Sequence, residues 1–400
     1  MVAKLPDTPY YSDRACSPDA TMARIAGSLS AYGITRLSRL TDLDSIGIPV
    51  WNAVAPNARS ITINQGKGIE DIDAKVSAAM EALERAVAGD PRMEVRQASL
   101  NELKSQSVAA DPLLGITRAG LPDAHPDEVL DWTLGYDIVA EREVWVPFDV
   151  IRLDDTRPSR YWQSSDGLAS GNTLLEATFH GLLERIERDA KVVSQFAPKP
   201  ERAANCVDLE ALRDPVLNGL AEKVCTAGFI LQVFNMTSDV GVPCFEAFIA
   251  PKTPSGGQLS YIEVTHGAGA HPNPVRAVIR AVTEAAQSRL TYISGARDDI
   301  HPQTFSRPLP DHLREALFIK PTRDAAAFDA FRGPSLSEML ASVIARLRAV
   351  GITSAIVVDM HPGSADFSVA KVLVRELESL DGARKQRFGA RALRRILRAR

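Results

Sequence analysis

Twice along the chain a helix-like stretch stops at a glycine and gives way to two β-branched stretches. "LEALRDPVLNGLAEKVCTA" runs to Gly228 and is followed by "FILQVFNM" and "VPCFEAFIA"; "LSEMLASVIARLRAV" runs to Gly351 and is followed by "TSAIVVDM" and "SVAKVLV". Apolar residues at helical spacing ahead of a glycine read as a helix, and runs of Val, Ile and Phe read as strands. A helix and two strands in succession must each bury a face. The repeated α-β-β unit therefore predicts an α+β protein, a layered α/β arrangement of mixed β-sheets flanked by helices.

The rest of the chain is punctuated less regularly. Residues 1–60 read as an irregular N-terminal segment packing on the core, with a strand-like "IGIPVWNAV" in which Pro49 marks an edge or a strand start. A helix is expected over "DAKVSAAMEALERAV", residues 73–87, ending before Gly89. Residues 90–140 read as short helices and loops, and "REVWVPFDVIRL" as a strand. Residues 61–380 form the main domain and 381–400 a basic tail. The net charge of −4 gives no global reason to expect nucleic acid or an anionic membrane as partner. No signal-like segment or membrane-spanning apolar run is visible, which predicts a cytoplasmic protein. Cys16, Cys206, Cys225 and Cys244 are scattered and read as buried thiols. His266 and His271 share a Gly/Pro-rich loop with no carboxylate or thiolate nearby to complete a metal shell.

Polar stripes on three helices carry more chemistry. Ser77, Glu81 and Glu84 sit at i, i+4 and i+7 with Arg85 beside them, and Arg280, Glu284 and Gln287 repeat that spacing with Arg289 close by. In "NTLLEATFHGLLERIERD", Asn172 and Glu176 are four apart and Glu187 falls three turns on, on the same face. Taken singly, each helix reads as an amphipathic surface helix with i, i+4 charge pairs. The flanks, however, are Ala-rich and apolar on several sides, which predicts burial, and buried carboxylates are costly unless cations or donors satisfy them. Mg²⁺ takes carboxylate oxygens together with phosphates. Carboxylates on several helices with arginines and Lys67 thus predict a nucleotide–metal pocket, the arginines holding phosphate oxygens. Glycines in "QGKG" and "DGLASGN" permit close backbone approach. Gly66-Lys67-Gly68 lacks the upstream glycine spacing and the Ser/Thr of a P-loop, and "GKGIED" has no third glycine for a dinucleotide fingerprint.

Several long motifs in order, "GITRL", "LDSIGIPVW", "QGKG", Ser77-x-x-x-Glu81-x-x-Glu84-Arg85, "SSDGLASGNTLLEATFHGLLERIERDA" and "HGAGAHPNPVRAVIRAVTEAAQSRLTYISGARDD", resemble the YcaO family, and most closely its TfuA-associated branch. The resemblance covers about residues 20–375. It implies a YcaO-like fold over 61–380 and an ATP- and Mg²⁺-dependent enzyme that activates a peptide or protein backbone amide by phosphorylating its oxygen. Residue by residue, it implies that Glu81, Glu84, Glu176 and Glu187 are the catalytic Mg²⁺ ligands. Ser77, Arg85, Asn172, Arg188, Arg280, Glu284 and Gln287 match ATP-contacting positions, with Glu184 and Lys67 as further cofactor-binding candidates. His180 shares the stripe without a motif role and reads as a packing or second-layer residue.

The branch implies thioamide formation with a TfuA-like partner. Azoline formation by a cyclodehydratase acting on Cys, Ser or Thr of a ribosomal precursor peptide is the alternative, and a non-catalytic peptide-binding scaffold is a third reading. A peptide or protein substrate is expected, a homodimer stays open, and neither membrane nor nucleic acid is expected as partner. Two stretches depart from the family pattern: Arg375-Glu-Leu-Glu378 stands where Pro-Gly-Leu-Glu is common, and "RRILRAR" where azoline-forming members carry Pro-x-Pro-x-Pro. From Arg384 to Arg400 there are eight basic residues and no acidic ones, with Leu393, Ile396 and Leu397 at helical spacing. That composition fits a solvated terminus or a docking element for an acidic peptide, a protein partner or RNA.

Overall fold

The structure, a computed structural model, describes residues 12–254, 258–322, 335–379, 382 and 384–398. Expectations for residues 1–11 and for the tail residues 381, 383, 399 and 400 lie outside these. The helices are α1 Pro18–Ala31, α2 Asp71–Gly89, α3 Leu100–Ser105, α4 Phe148–Ile151, α5 Leu174–Gln195, α6 Lys199–Ala204, α7 Pro215–Thr226, α8 Pro274–Ser294, α9 Asp311–Ala316, α10 Leu336–Ala349 and α11 Ala390–Arg398. The strands are β1 Arg36–Arg39, β2 Val50–Val54, β3 Ile63–Lys67, β4 Arg96–Ala98, β5 Leu130–Asp137, β6 Arg142–Pro147, β7 Leu168–Gly171, β8 Phe229–Asn235, β9 Cys244–Pro251, β10 Thr265–Ala270, β11 Ile356–Asp359 and β12 Ser368–Leu373.

They form three sheets, ordered β1-β2-β3, β10-β9-β8 and β4-β5-β11-β12-β7, with β6 paired to β5 in the last. The α+β class holds, and every ladder between named strands is antiparallel. Both α-β-β units are present: α7-β8-β9 builds one of the small sheets, and α10-β11-β12 puts two strands in the middle of the large one. α7 starts at Pro215 rather than at Leu209, because Arg213 is left-handed (φ 50°) and Asp214 caps the helix by accepting from the Leu217 N–H.

Two further readings are corrected. Of the N-terminal segment, the described residues 12–60 are not irregular: Ser17 caps α1 with Pro18 at its first position, and β1 and β2 pair onward into β3 across residue 60. "REVWVPFDVIRL" is a strand only to Pro147, after which Phe148–Ile151 turn as a short helix. Pro49 does immediately precede β2, as expected of a strand start.

Each of the three stripe-bearing helices covers one sheet. α2 packs on β3 and β2, α5 on β12 and β7, and α8 on β10 and β9. Each also touches a neighbouring sheet: α2 meets β7, α5 meets β10, and α8 meets β3. That cyclic contact turns the polar stripes toward one another. Burial holds it in place: Phe179, Leu182 and Ile186 of α5 are fully buried, each contributing about 1.5–3 kcal/mol of hydrophobic stabilisation. The helices sit so close to the strands that side chains are excluded between them. A Cβ on Gly66 would lie 2.0 Å from the Ala78 nitrogen, and one on Gly269 would lie 2.1 Å from the Ala277 oxygen. The first glycine of "QGKG" is thus used for strand-to-helix contact within β3, not in a loop kept free for a ligand. Among the described residues no helix is long and apolar enough to cross a membrane.

Candidate active site

At the start of α5 the cap is Thr173, whose hydroxyl accepts from the Glu176 N–H at 3.2 Å. Asn172 therefore precedes the helix instead of sharing its face with Glu176. It still serves that residue, since its backbone N–H and Nδ2 donate to Glu176 Oε2 at 2.9 and 3.2 Å. Glu176 is fully buried; its Oε1 accepts the Ala15 N–H, and Arg14 Nη1 lies 3.5 Å from Oε2. The segment carrying Ala15 is pinned by Asp13, which pairs with Arg276 and accepts from His271 Nε2 at 2.8 Å. Burial alone would raise Asp13, but His271 and Arg276 bring it down to about 2. Asp13, Arg14 and Ala15 belong to the site and were not identified from the sequence.

Further along α5, Glu184 accepts the Gly167 N–H at 3.1 Å and an Arg188 N–H at 3.0 Å. Arg188 also lies 3.3 Å from Glu187 and 3.4 Å from Asp166. Asp166, in the "DG" turn ahead of β7, is a further residue at this wall that the stripes did not reveal; a turn residue preceding a glycine was its one available signal. On α2, Glu84 accepts from Ser170 Oγ at 3.0 Å, Glu81 lies 3.5 Å from Arg85, and Ser77 lines the same wall. On α8, Glu284 pairs with Lys67 and accepts the Ala268 N–H at 3.3 Å, while Gln287 donates to the Gln65 carbonyl at 3.2 Å. Arg280 also faces the cavity, and its Nε is buried without a hydrogen-bond partner among the described residues. Arg289 points away, paired with Asp44 and stacked on Phe229.

Every candidate residue except Glu176 lines a single cavity of about 1540 Å³; Arg14 and Ala15 cover Glu176 from it. The charges in the wall are imperfectly balanced. Burial, with the charges of Glu81 and Glu184, holds the Glu84 carboxyl well above its ordinary value despite Arg85 and Ser170. Burial and the nearby Glu284 and Glu184 likewise raise Glu187, against the pull of Arg188 and Arg280. Glu284 goes the other way: Lys67 and Arg188 overcome its burial and lower it to about 2. Burial opposes the charge on Arg188, yet Glu184, Glu187 and Asp166 raise it above its ordinary value, so it stays cationic.

Among the described residues no group of three or more His, Cys, Asp or Glu side chains is gathered tightly enough to hold an ion. Glu81, Glu84, Glu176 and Glu187 are thus near one space but not drawn into a ligand cage. The donor set still fits a hard divalent cation, since it is all oxygen and contains carboxylates that mutual repulsion pushes toward protonation. An added cation would relieve that repulsion. His180 is not a packing residue here. It faces the cavity, both ring nitrogens are buried without a hydrogen-bond partner among the described residues, and burial with Arg14 and Arg280 keeps the ring neutral.

Lys371 of β12 supports this wall from behind. It is 3% exposed and donates to the carbonyl oxygens of Ser164 and Asp166, fixing the turn that carries the Asp166 carboxylate. Desolvation lowers it from 10.5 to about 8, partly offset by Asp166 and Glu184. Between these values the unfolded chain binds more protons than the native one, so this group makes stability rise with pH across the window. Urea denaturation on either side of the window should show Lys371→Met losing on the order of 3 kcal/mol of that rise relative to the unsubstituted protein. An identical pH slope in both proteins would contradict this account.

Comparison with known proteins fits this geometry. Residues 65–378 match the model of a family described as YcaO cyclodehydratases, ATP- and Mg²⁺-binding. An uncharacterized protein from the tfuA 3′ region of Rhizobium leguminosarum bv. trifolii is 36% identical over 403 residues, covering 96% of this chain and 93% of the relative. One from Methanothermobacter thermautotrophicus is 34% identical, covering 74% of this chain and 75% of the relative. Among solved structures, a heterocyclase in complex with substrate and cofactor superposes with a TM-score of 0.75 at 20% identity over 94% of this chain, which spans 54% of that longer protein. YcaO from Methanopyrus kandleri, bound with AMPPCP and Mg²⁺, superposes with a TM-score of 0.67 at 24% identity, covering 91% of this chain and 92% of that one. The chain belongs to the YcaO family, in its TfuA-associated branch, and its cofactors are ATP and Mg²⁺.

Proposed function

We propose that this chain activates a backbone amide of a peptide or protein by O-phosphorylation, and that the product is a thioamide made together with a TfuA-like partner. The observation that carries the reading is the cavity wall itself, where half-buried carboxylates on α2 and buried ones on α5 stand with Arg85, Arg188, Arg280 and Lys67. Phosphoryl transfer asks a protein mainly for alignment and charge neutralisation, which this wall offers without a protein nucleophile. The thioamide rests on the 36%-identical relative from a tfuA region.

Amide oxygen leaves poorly, so the reaction is written through an adduct. Hydrosulfide adds to the carbonyl carbon, and the amide oxygen carries the resulting negative charge. Mg·ATP supplies the γ-phosphoryl that turns this oxygen into a phosphate leaving group. The C–O bond then breaks with its electron pair as phosphate departs, the C=S bond forms, and the sulfur proton ends on phosphate. Amide, hydrosulfide and ATP thus become thioamide, ADP and hydrogen phosphate. Glu81, Glu84, Glu176 and Glu187 would hold Mg²⁺, with Arg188, Arg280 and Lys67 on phosphate oxygens. Glu176 already accepts three N–H groups behind Arg14 and Ala15, so a metal would meet it only with that segment displaced. Ser77, Arg85, Asn172, Glu184, Glu284 and Gln287 would orient the nucleotide and its neighbours. Neutral His180, held uncharged by burial and the nearby arginines, can accept or donate a hydrogen bond at the cavity wall.

A second reading, azoline formation, draws on the fold shared with the heterocyclase. Mass spectrometry of the precursor peptide after incubation with the chain, the TfuA-like protein, Mg·ATP and sulfide separates the two. Exchange of one oxygen for sulfur is the expected result. Loss of one water without sulfur uptake would replace thioamidation by cyclodehydration.

A further inference from the structure

The cavity has a second, basic end that the nucleotide chemistry does not use. α11 is docked on the far half of α5, where Arg391 holds the buried Asp189 through two hydrogen bonds of 2.7 and 2.9 Å. Arg395 pairs with Glu201 and so ties α11 to α6. With these two arginines committed, Arg394 and Arg398, one turn apart, are exposed and line the cavity together with Arg202 of α6. None of the three has an ion-pair partner among the described residues. His312 of α9, also in the cavity wall, is lowered first by burial and next by Arg202. Asp189 lies two residues beyond Glu187 on α5, so this rim begins about half a turn past the glutamate wall. Phe234, Phe248 and Val264 supply apolar wall in the same cavity.

Three unpaired guanidinium groups on two helices, opening onto the space where an amide would be activated, match carboxylates presented by an extended chain. We propose that this rim binds an acidic segment of the polypeptide substrate, holding it while the amide to be activated lies at the glutamate end. The inference rests on the proposed amide-activating function. Acidic residues near the modified position give productive binding, and lysine-rich ones are repelled.

The test uses the whole chain and a fluorescein-labelled hexaglutamate peptide, followed by anisotropy with and without AMPPCP and Mg²⁺, against a hexalysine peptide and an oligoadenylate. Hexaglutamate should bind in preference to both, and more weakly as salt rises. Arg394→Glu/Arg398→Glu and, on the separate helix, Arg202→Glu should each weaken it at least tenfold while AMPPCP affinity, measured by calorimetry, stays within twofold. Failure of the unsubstituted chain to bind hexaglutamate, equal binding by both variants, or a preference for oligoadenylate would each overturn the inference. Absence of AMPPCP binding by the unsubstituted chain would instead strike the proposed function, and the peptide arm without nucleotide would still decide the rim.

Discussion

Glu187→Gln is expected to cut Mg²⁺-dependent ATP turnover roughly hundredfold or more while leaving the fold intact. Gln keeps the shape of the side chain, so the apolar face of α5 is undisturbed. What disappears is a negative charge that Glu284 and Glu184 crowd from one side and Arg188 and Arg280 attract from the other. Arg188 retains Glu184 and Asp166 as partners, so no buried cation is stranded. Relief of carboxylate repulsion predicts a melting temperature that holds or rises. Activity should therefore fall with no loss of stability, which loss of folded protein cannot imitate. Glu81→Gln removes a carboxylate from the opposite wall and should behave alike. Phosphate release measured across a Mg²⁺ titration, beside thermal melts, checks both; undiminished turnover in the two variants would remove these glutamates from the metal-ligand set.

The parts of this site legible in the sequence are those with a period. Ser77, Glu81 and Glu84, or Arg280, Glu284 and Gln287, recur at helical spacing because one face of a buried helix must look into the cavity. The paired α-β-β units were legible for the same reason: helical and strand periods change where the chain does. Asp13, Arg14 and Ala15 were not, since an extended segment anchored by one buried carboxylate has no period to read. Asn172 was placed on the helix by counting alone; the cap at Thr173, visible as a Thr three residues before Glu176, starts the helix at Leu174, two residues later than the spacing suggested. Lys371 alternates like any strand residue, and only the fold reveals that its side chain reaches Ser164 and Asp166. Convergence of three helices on one space was inferred from their apolar flanks, but the cyclic sheet contacts that produce it depend on long-range pairing that a local pattern does not encode.

Arg391→Ala should cost about 3–5 kcal/mol of stability, an unusually large effect for a residue in a terminal basic stretch. Asp189 is fully buried and receives two hydrogen bonds from Arg391, one from the Glu378 N–H at 2.9 Å and one from Ser238. Burial already raises its carboxyl above the ordinary value, with Arg391 the main opposing influence. Without the guanidinium the Asp189 charge is stranded or its carboxyl takes up a proton, and Asp239 loses its pairing with Arg391 as well. The penalty should thus shrink as pH falls toward the carboxylate range, because protonation removes the stranded charge. Pairing the change with Asp189→Asn, which retires the buried charge, should recover much of the loss, a coupling that a double-mutant cycle in urea measures directly. The same clamp positions Arg394 and Arg398, so Arg391→Ala should also weaken hexaglutamate binding without touching any residue proposed to meet ATP. An unchanged unfolding midpoint would mean that α11 is a solvated end of the chain, and the basic rim would lose its anchor.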